Sequence, residues 1–136
     1  MLNISIAPDG TEYPLPAAED GEKEKAILLE ITEEQRKLGR KIVAVQGLGF
    51  VGCVMATVVA DAVDQDGKPI YFVHGHQRAS KRSYWKVPLI NTGVPPVSSS
   101  DPEVPKIFNR CVIEKKNFRA TWVDSVYELA DVVVVD

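Results

Sequence analysis

One junction constrains this chain more than any other feature. KIVAVQ (41–46) runs without interruption into GLGFVG (47–52). The first segment is short, apolar and β-branched, as expected of a strand buried on both faces. The second carries Gly47, Gly49 and Gly52, then passes into a dense apolar stretch that reads as a buried helix up to Val63. Gly47 permits the tight turn, and Gly49, lacking a side chain, lets a pyrophosphate approach the backbone. Gly52 lets the helix pack closely on the strand. Free N–H groups and the dipole at the start of that helix would hold the phosphates. On this reading Gly47, Leu48, Gly49, Phe50, Val51 and Gly52 form a dinucleotide-binding loop. The plain alternative is a glycine-rich turn with no ligand, which the complete βαβ context disfavours.

The rest of the chain extends the same pattern. Residues 1–21, with Pro8, Gly10, Pro14, Pro16 and Gly21, read as an irregular arm. Residues 22–39 read as a surface helix with a narrow apolar stripe, Glu22 and Glu24 in its first turn and Gly39 as its stop. IYFVHG (70–75) is a second strand, and Pro88 should end or kink any helix begun in the 80s. A helix is expected over 101–116, capped by Asp101 with Pro102 in its first turn and an apolar face of Val104, Ile107, Phe108, Cys111 and Val112. FRATWV (118–123) is a third strand, a short helix follows from Asp124 to Leu129, and VVVV (132–135) is a fourth strand. Strands alternating with helices predict an α/β fold, a partial Rossmann-type doubly wound parallel sheet with helices on both faces. The division expected is an N-terminal arm and helix (1–39) and a Rossmann NAD(P)-binding domain (40–136). A run such as Val132–Val135 wants cover on both faces, which suggests one piece of a longer enzyme.

The tip of the second strand selects the dinucleotide. A carboxylate there would accept the ribose hydroxyls and repel a 2′-phosphate. This chain places Gln77 and Arg78 there, with Lys81 and Arg82 within loop reach. Between Asp66 and Asp101 it has five bases and no acid, on a protein of formal net charge −3. An arginine fork grips phosphate well, so NADP is favoured over NAD. The alternative is a solvated basic loop with NAD bound through Gln77. His74 and His76 are too few for a metal site, and the simple expectation is one packed and one near the adenosine. Tyr84 and Trp85 are expected to pack, as are Cys53 and Cys111, whose spacing suits neither zinc nor redox chemistry. No acyl-transfer triad and no P-loop lysine are present. The acidic net charge disfavours nucleic acid as a partner. The start shows no signal peptide and no stretch suits a membrane span, so a cytoplasmic protein is expected.

Taken together, KIVAVQGLGFVG, the V-x-G of Val73–Gly75, PLINTGVPPV and RATWVDSVYELADVVVVD resemble, in this order, the N-terminal domain of the UDP-glucose/GDP-mannose dehydrogenases. The resemblance covers Lys41 to Asp136 and leaves residues 1–39 outside. It implies oxidation of the C6 alcohol of a UDP- or GDP-sugar to a carboxylate with NAD(P), in a full-length enzyme that forms homo-oligomers. It also implies a catalytic cysteine in a later domain, matched by neither Cys53 nor Cys111, so this chain by itself would bind cofactor without turning over. VSSSDP replaces the family's Glu-Pro-Gly, and Gln77 replaces its Asp. A non-catalytic redox sensor that binds NAD(P) and signals through the N-terminal helix is the alternative function.

Overall fold

The computed structural model describes residues 3–98 and 100–135. In chain order it has a hairpin of β1 (Ile4–Ile6) and β2 (Glu12–Pro14), then helix α1 (Ala18–Lys37) and strand β3 (Lys41–Gln46). Helix α2 (Phe50–Asp61), strand β4 (Tyr71–His76), and helices α3 (Lys86–Asn91) and α4 (Glu103–Asn109) follow. A π-helical turn at Arg110–Glu114 leads to β5 (Phe118–Thr121), and a 3-10 helix at Asp124–Leu129 leads to β6 (Val132–Val135). β3 to β6 form one parallel sheet in the order β5-β4-β3-β6. Val43 of the central strand pairs with Val73 on one side and Val132 on the other. The expected α/β architecture, a partial Rossmann-like sheet, is what the chain forms.

The apolar character of β3 has its cause in this placement. Ile42, Val43, Ala44 and Val45 are all buried, because a central parallel strand is covered on both faces. One face packs Val43, Val45 and Val73 against Cys53 and Ala56 of α2, with Ile90, Phe108 and Phe118. The other face carries α1 and the 3-10 helix, where Leu28 packs with Val123 and Val126. This second layer is markedly polar. The carboxylate of Glu24 accepts both terminal nitrogens of Arg119 at 2.7 Å each and the Thr121 hydroxyl at 2.7 Å. Thr32 Oγ1 and His74 Nε2 lie 3.0 Å apart.

Several expectations require correction. Part of the arm expected to be irregular is an antiparallel hairpin that pairs Ser5 with Tyr13. α1 begins at Ala18, so Glu19 and Asp20 occupy its first turn and Glu24 is buried in its interior. Pro88 does not end α3, because it lies in the first turn, where its missing N–H costs no helical bond. The helix predicted over 101–116 changes to π geometry at Arg110. Asp101 does act at its start, accepting the Glu103 N–H at 2.9 Å.

The family-like motifs have clear structural duties. Asn91, in INTG, donates to Ala120 O at 3.0 Å and accepts from Ala120 N–H at 2.8 Å, giving β5 the partner a further strand would supply. Gly93 follows at φ +88°, where an added Cβ would lie 2.7 Å from Asn109 Nδ2 and from Ile113 Cγ1. Asp131, in the ADVV ending, accepts the Ile42 N–H at 2.9 Å and Arg36 at 3.1 Å, fixing the start of β6 beside β3. The Ile42 N–H, more than Arg36, holds the Asp131 carboxyl below its usual range.

Candidate cofactor site

In sheets of this kind ligands bind beyond the carboxyl ends of the strands. The glycine loop stands there, between β3 and α2. Gly47 turns the chain at φ +86°, a conformation that favours glycine. Its N–H donates to His76 O at 3.0 Å, tying the tip of β3 to that of β4. Gly49 is the N-cap residue of α2, and the first helical bond runs from Cys53 N–H to Gly49 O at 2.9 Å. The N–H groups of Phe50, Val51 and Gly52 therefore have no acceptor within the helix and are available to an anion. A Cβ built on Gly49 would meet nothing within 4 Å, so the space over it is open to a ligand. Phe50 and Val51 are exposed, and Gly52 is buried. These features fit a dinucleotide pyrophosphate.

Leu48 has a different role from its neighbours. It is fully buried. Its N–H donates to Gln77 Oε1 at 3.1 Å, and its carbonyl accepts the Cys53 thiol at 3.3 Å. Its side chain lies against Gly75, where an added Cβ would come within 2.8 Å of Leu48 Cδ2. The third residue of V-x-G is thus glycine because the loop's leucine occupies the place of a side chain. The sequence motif shows this glycine without its partner, since the contact joins the glycine loop to β4.

Gln77 stands at the expected ribose position, with its N–H donating to Thr121 O at 3.0 Å. Its side chain reaches the glycine loop through Leu48, so the two halves of the expected site meet. Arg78, Lys81 and Arg82 are exposed on the turn that follows. That turn is braced by Ser80 Oγ and Ser83 Oγ, 2.6 Å apart, and by the Ser83 hydroxyl donating to Arg78 O at 3.1 Å. Tyr84 and Trp85 pack as expected, Tyr84 edge-on to Trp122 with ring centroids 5.8 Å apart.

The histidines depart from the simple expectation, since both pack into the second layer. His74 is fully buried. Burial, aided by the charge of Arg119, pushes it down to about 4. His76 is buried as well. Its Nδ1 lies 2.8 Å from Tyr127 Oη and its Nε2 2.9 Å from Asp124 Oδ1. Both cysteines are buried, and burial pushes the Cys111 thiol up to about 11, with Asp61 adding to the effect.

A glycine turn, a helix N-terminus and a polar strand tip, gathered at one end of a four-stranded parallel sheet, define the class as a partial Rossmann-like α/β fold. Among solved structures, the chain is similar to the crystal structure of NDP-N-acetyl-D-galactosaminuronic acid dehydrogenase from Methanosarcina mazei Go1. The identity is 28%, the TM-score 0.62, and the match covers 79% of this chain and 21% of that one. The chain thus spans about a fifth of that protein's length. The resemblance carried by the sequence motifs therefore holds in three dimensions, to a nucleotide-sugar dehydrogenase. No protein-family model matches the chain, and no curated protein matches it. Among the described residues, no helix is long and apolar enough to cross a membrane.

Proposed function

We propose that this chain is the dinucleotide-binding part of a nucleotide-sugar 6-dehydrogenase, which oxidises the C6 alcohol of a UDP- or GDP-sugar to a carboxylate with NAD(P). The observation that carries the reading is the loop at Gly47–Gly52, with open space over Gly49 and unpaired helix N–H groups beneath it. The structural likeness to a nucleotide-sugar dehydrogenase supports the same choice. In this reading residues 40–136 are the cofactor domain and residues 1–39 an addition to it.

Phe50, Val51 and Gly52 hold the pyrophosphate through their N–H groups, and Gly47 and Gly49 give it room. Leu48 acts indirectly, by fixing Gln77. Gln77 offers its amide to the adenosine ribose and, being neutral, does not repel a 2′-phosphate. Arg78, with Lys81 and Arg82, supplies the charge that favours NADP over NAD. The cofactor, when bound, supplies the hydride acceptor, and the residues of this chain bind and orient it. Sugar recognition and the catalytic residues belong to other parts of the full-length enzyme, a homo-oligomer.

Calorimetric titration with NADP⁺ and NAD⁺ at two salt concentrations tests the reading, together with Gly49→Ala. An added methyl at Gly49 meets no protein atom, so the variant should keep its melting temperature while losing affinity. Tighter NADP⁺ binding that weakens with salt supports the basic-loop assignment. Equal affinity for the two dinucleotides overturns the NADP preference, and unchanged affinity in Gly49→Ala overturns the loop assignment.

A further inference from the structure

The hairpin and α1 precede β3 and the motifs that carry the family resemblance, yet each buries a polar side chain tied to the loop at residues 77–85, Ser5 directly and Glu24 through Thr121 of β5. Ser5, fully buried in β1, accepts the Trp85 N–H at 3.0 Å. That bond fixes the far end of the loop, and the Trp85 indole N–H in turn donates to Arg82 O at 2.9 Å. Glu24, 3% exposed on α1, accepts the Thr121 hydroxyl at 2.7 Å. Thr121 O accepts the Gln77 N–H at 3.0 Å, which fixes the near end. Gln77 Oε1 then accepts the Leu48 N–H, so a line of hydrogen bonds joins α1 to the glycine loop.

We propose that the N-terminal segment is a clamp on the ribose-recognition loop, with Ser5 and Glu24 as positioning residues that set where Arg78 and Arg82 stand. The proposal rests on the cofactor-site reading given above. Its physical basis is the choice of polar anchors. Apolar contacts such as that of Leu28 with Val123 and Val126 hold a helix on a sheet without direction. A buried carboxylate or hydroxyl must be hydrogen-bonded, and its bonds fix position. Ser5 and Trp85 are 80 residues apart and Glu24 and Thr121 are 97 apart, so both anchors join the N-terminal segment to distant parts of the sheet region. The loop between them is braced by Ser80 and Ser83 and presents arginines at its surface.

The test compares Ser5→Ala and Glu24→Gln with Leu28→Ala, which loosens α1 without touching either anchor. Thr121→Val breaks the same line while leaving the Glu24–Arg119 pair, and it replaces Glu24→Gln if that variant does not fold. The readout is the ratio of the dissociation constants of adenosine 5′-monophosphate and adenosine 2′,5′-bisphosphate. The anchor variants should lower the wild-type preference for the 2′-phosphate by about tenfold, the effect of one lost hydrogen bond. Leu28→Ala should lower the melting temperature and leave the ratio unchanged. A ratio unmoved by the anchor variants, or moved equally by Leu28→Ala, overturns the clamp. If the wild type binds neither nucleotide, the cofactor reading fails separately, and hydrogen exchange decides the clamp. Faster exchange at Trp85 in Ser5→Ala and at Gln77 in Glu24→Gln, but not in Leu28→Ala, then supports it, and equal exchange overturns it.

Discussion

Gly75→Ala tests whether the glycine loop is seated on β4 as described. The new Cβ would lie 2.8 Å from Leu48 Cδ2 and 3.0 Å from Phe118 Cε1, against an ordinary carbon contact of about 3.5–4.0 Å. Leu48 has little freedom to yield, since its N–H is held by Gln77 and its carbonyl by Cys53. Overpacking of this kind costs roughly 1–3 kcal/mol. A cost of about 2 kcal/mol should lower the melting temperature by roughly 6–10 °C in a chain of this size. Leu48→Val removes the clashing atom at a cost of about 1 kcal/mol for the lost methylene and its cavity. In the double variant the alanine methyl fills that cavity, so the total should fall well short of the sum, with a coupling of about 1–2 kcal/mol. Urea unfolding followed by the fluorescence of Trp85 and Trp122 measures all four proteins. Additivity within about 0.5 kcal/mol would refute the argument.

Three further predictions follow from buried groups. His74 titrates at about 4 when folded and 6.5 when unfolded, so the unfolded chain binds more protons between those values. Its contribution is complete above pH 6.5 and is lost as pH falls toward 4, by about 3 kcal/mol; a ring-proton NMR titration with a midpoint near 6.5 would contradict this. Asn91→Ala removes both side-chain bonds to the buried backbone of Ala120 and should cost about 2–4 kcal/mol. Its signature is fast amide exchange at Ala120, and native-like protection there would count against the edge-strand role. Cys111, with its thiol pushed up to about 11, should resist iodoacetamide at pH 8 until urea unfolds the protein. Labelling of the native protein at the rate of a free thiol would show that the site is open.

Much of this architecture was legible in the sequence because its determinants are local. The passage from KIVAVQ to GLGFVG marks strand, turn and helix within 12 residues. Asp101 and the apolar face after it mark the helix that follows. The hairpin was missed because β1 and β2 are only three residues each, although Pro8-Asp9-Gly10 is a turn signal and Gly10 adopts φ +90°. The role of Glu24 could not be read locally. A glutamate early in a helix ordinarily means a favourable charge near the dipole, and its burial follows from Arg119, 95 residues away. Pro88 misled because its bias against a helical Val87 is a tendency that the first turn of α3 overrides, and its missing N–H costs no helical bond there. At the site, the sequence located Gln77 opposite the glycines. That Gln77 and Leu48 share a hydrogen bond is a consequence of the parallel pairing of β3 with β4.

The order β5-β4-β3-β6 also sets a schedule. Strand β3 is the centre of the sheet, yet one of its two neighbours is made last among the four strands. Ile42 and Asp131, which join the strands at their start, are 89 residues apart. At about 5–20 residues per second on the ribosome, that separation is roughly 4–18 seconds of synthesis. For that time the glycine turn hangs from a strand paired on one side at most, and a nascent chain has a backbone edge open to other chains. Pairing of β6 with β3 beside the glycine loop is therefore a late event relative to the making of β3, timed by translation as much as by the chain's own search.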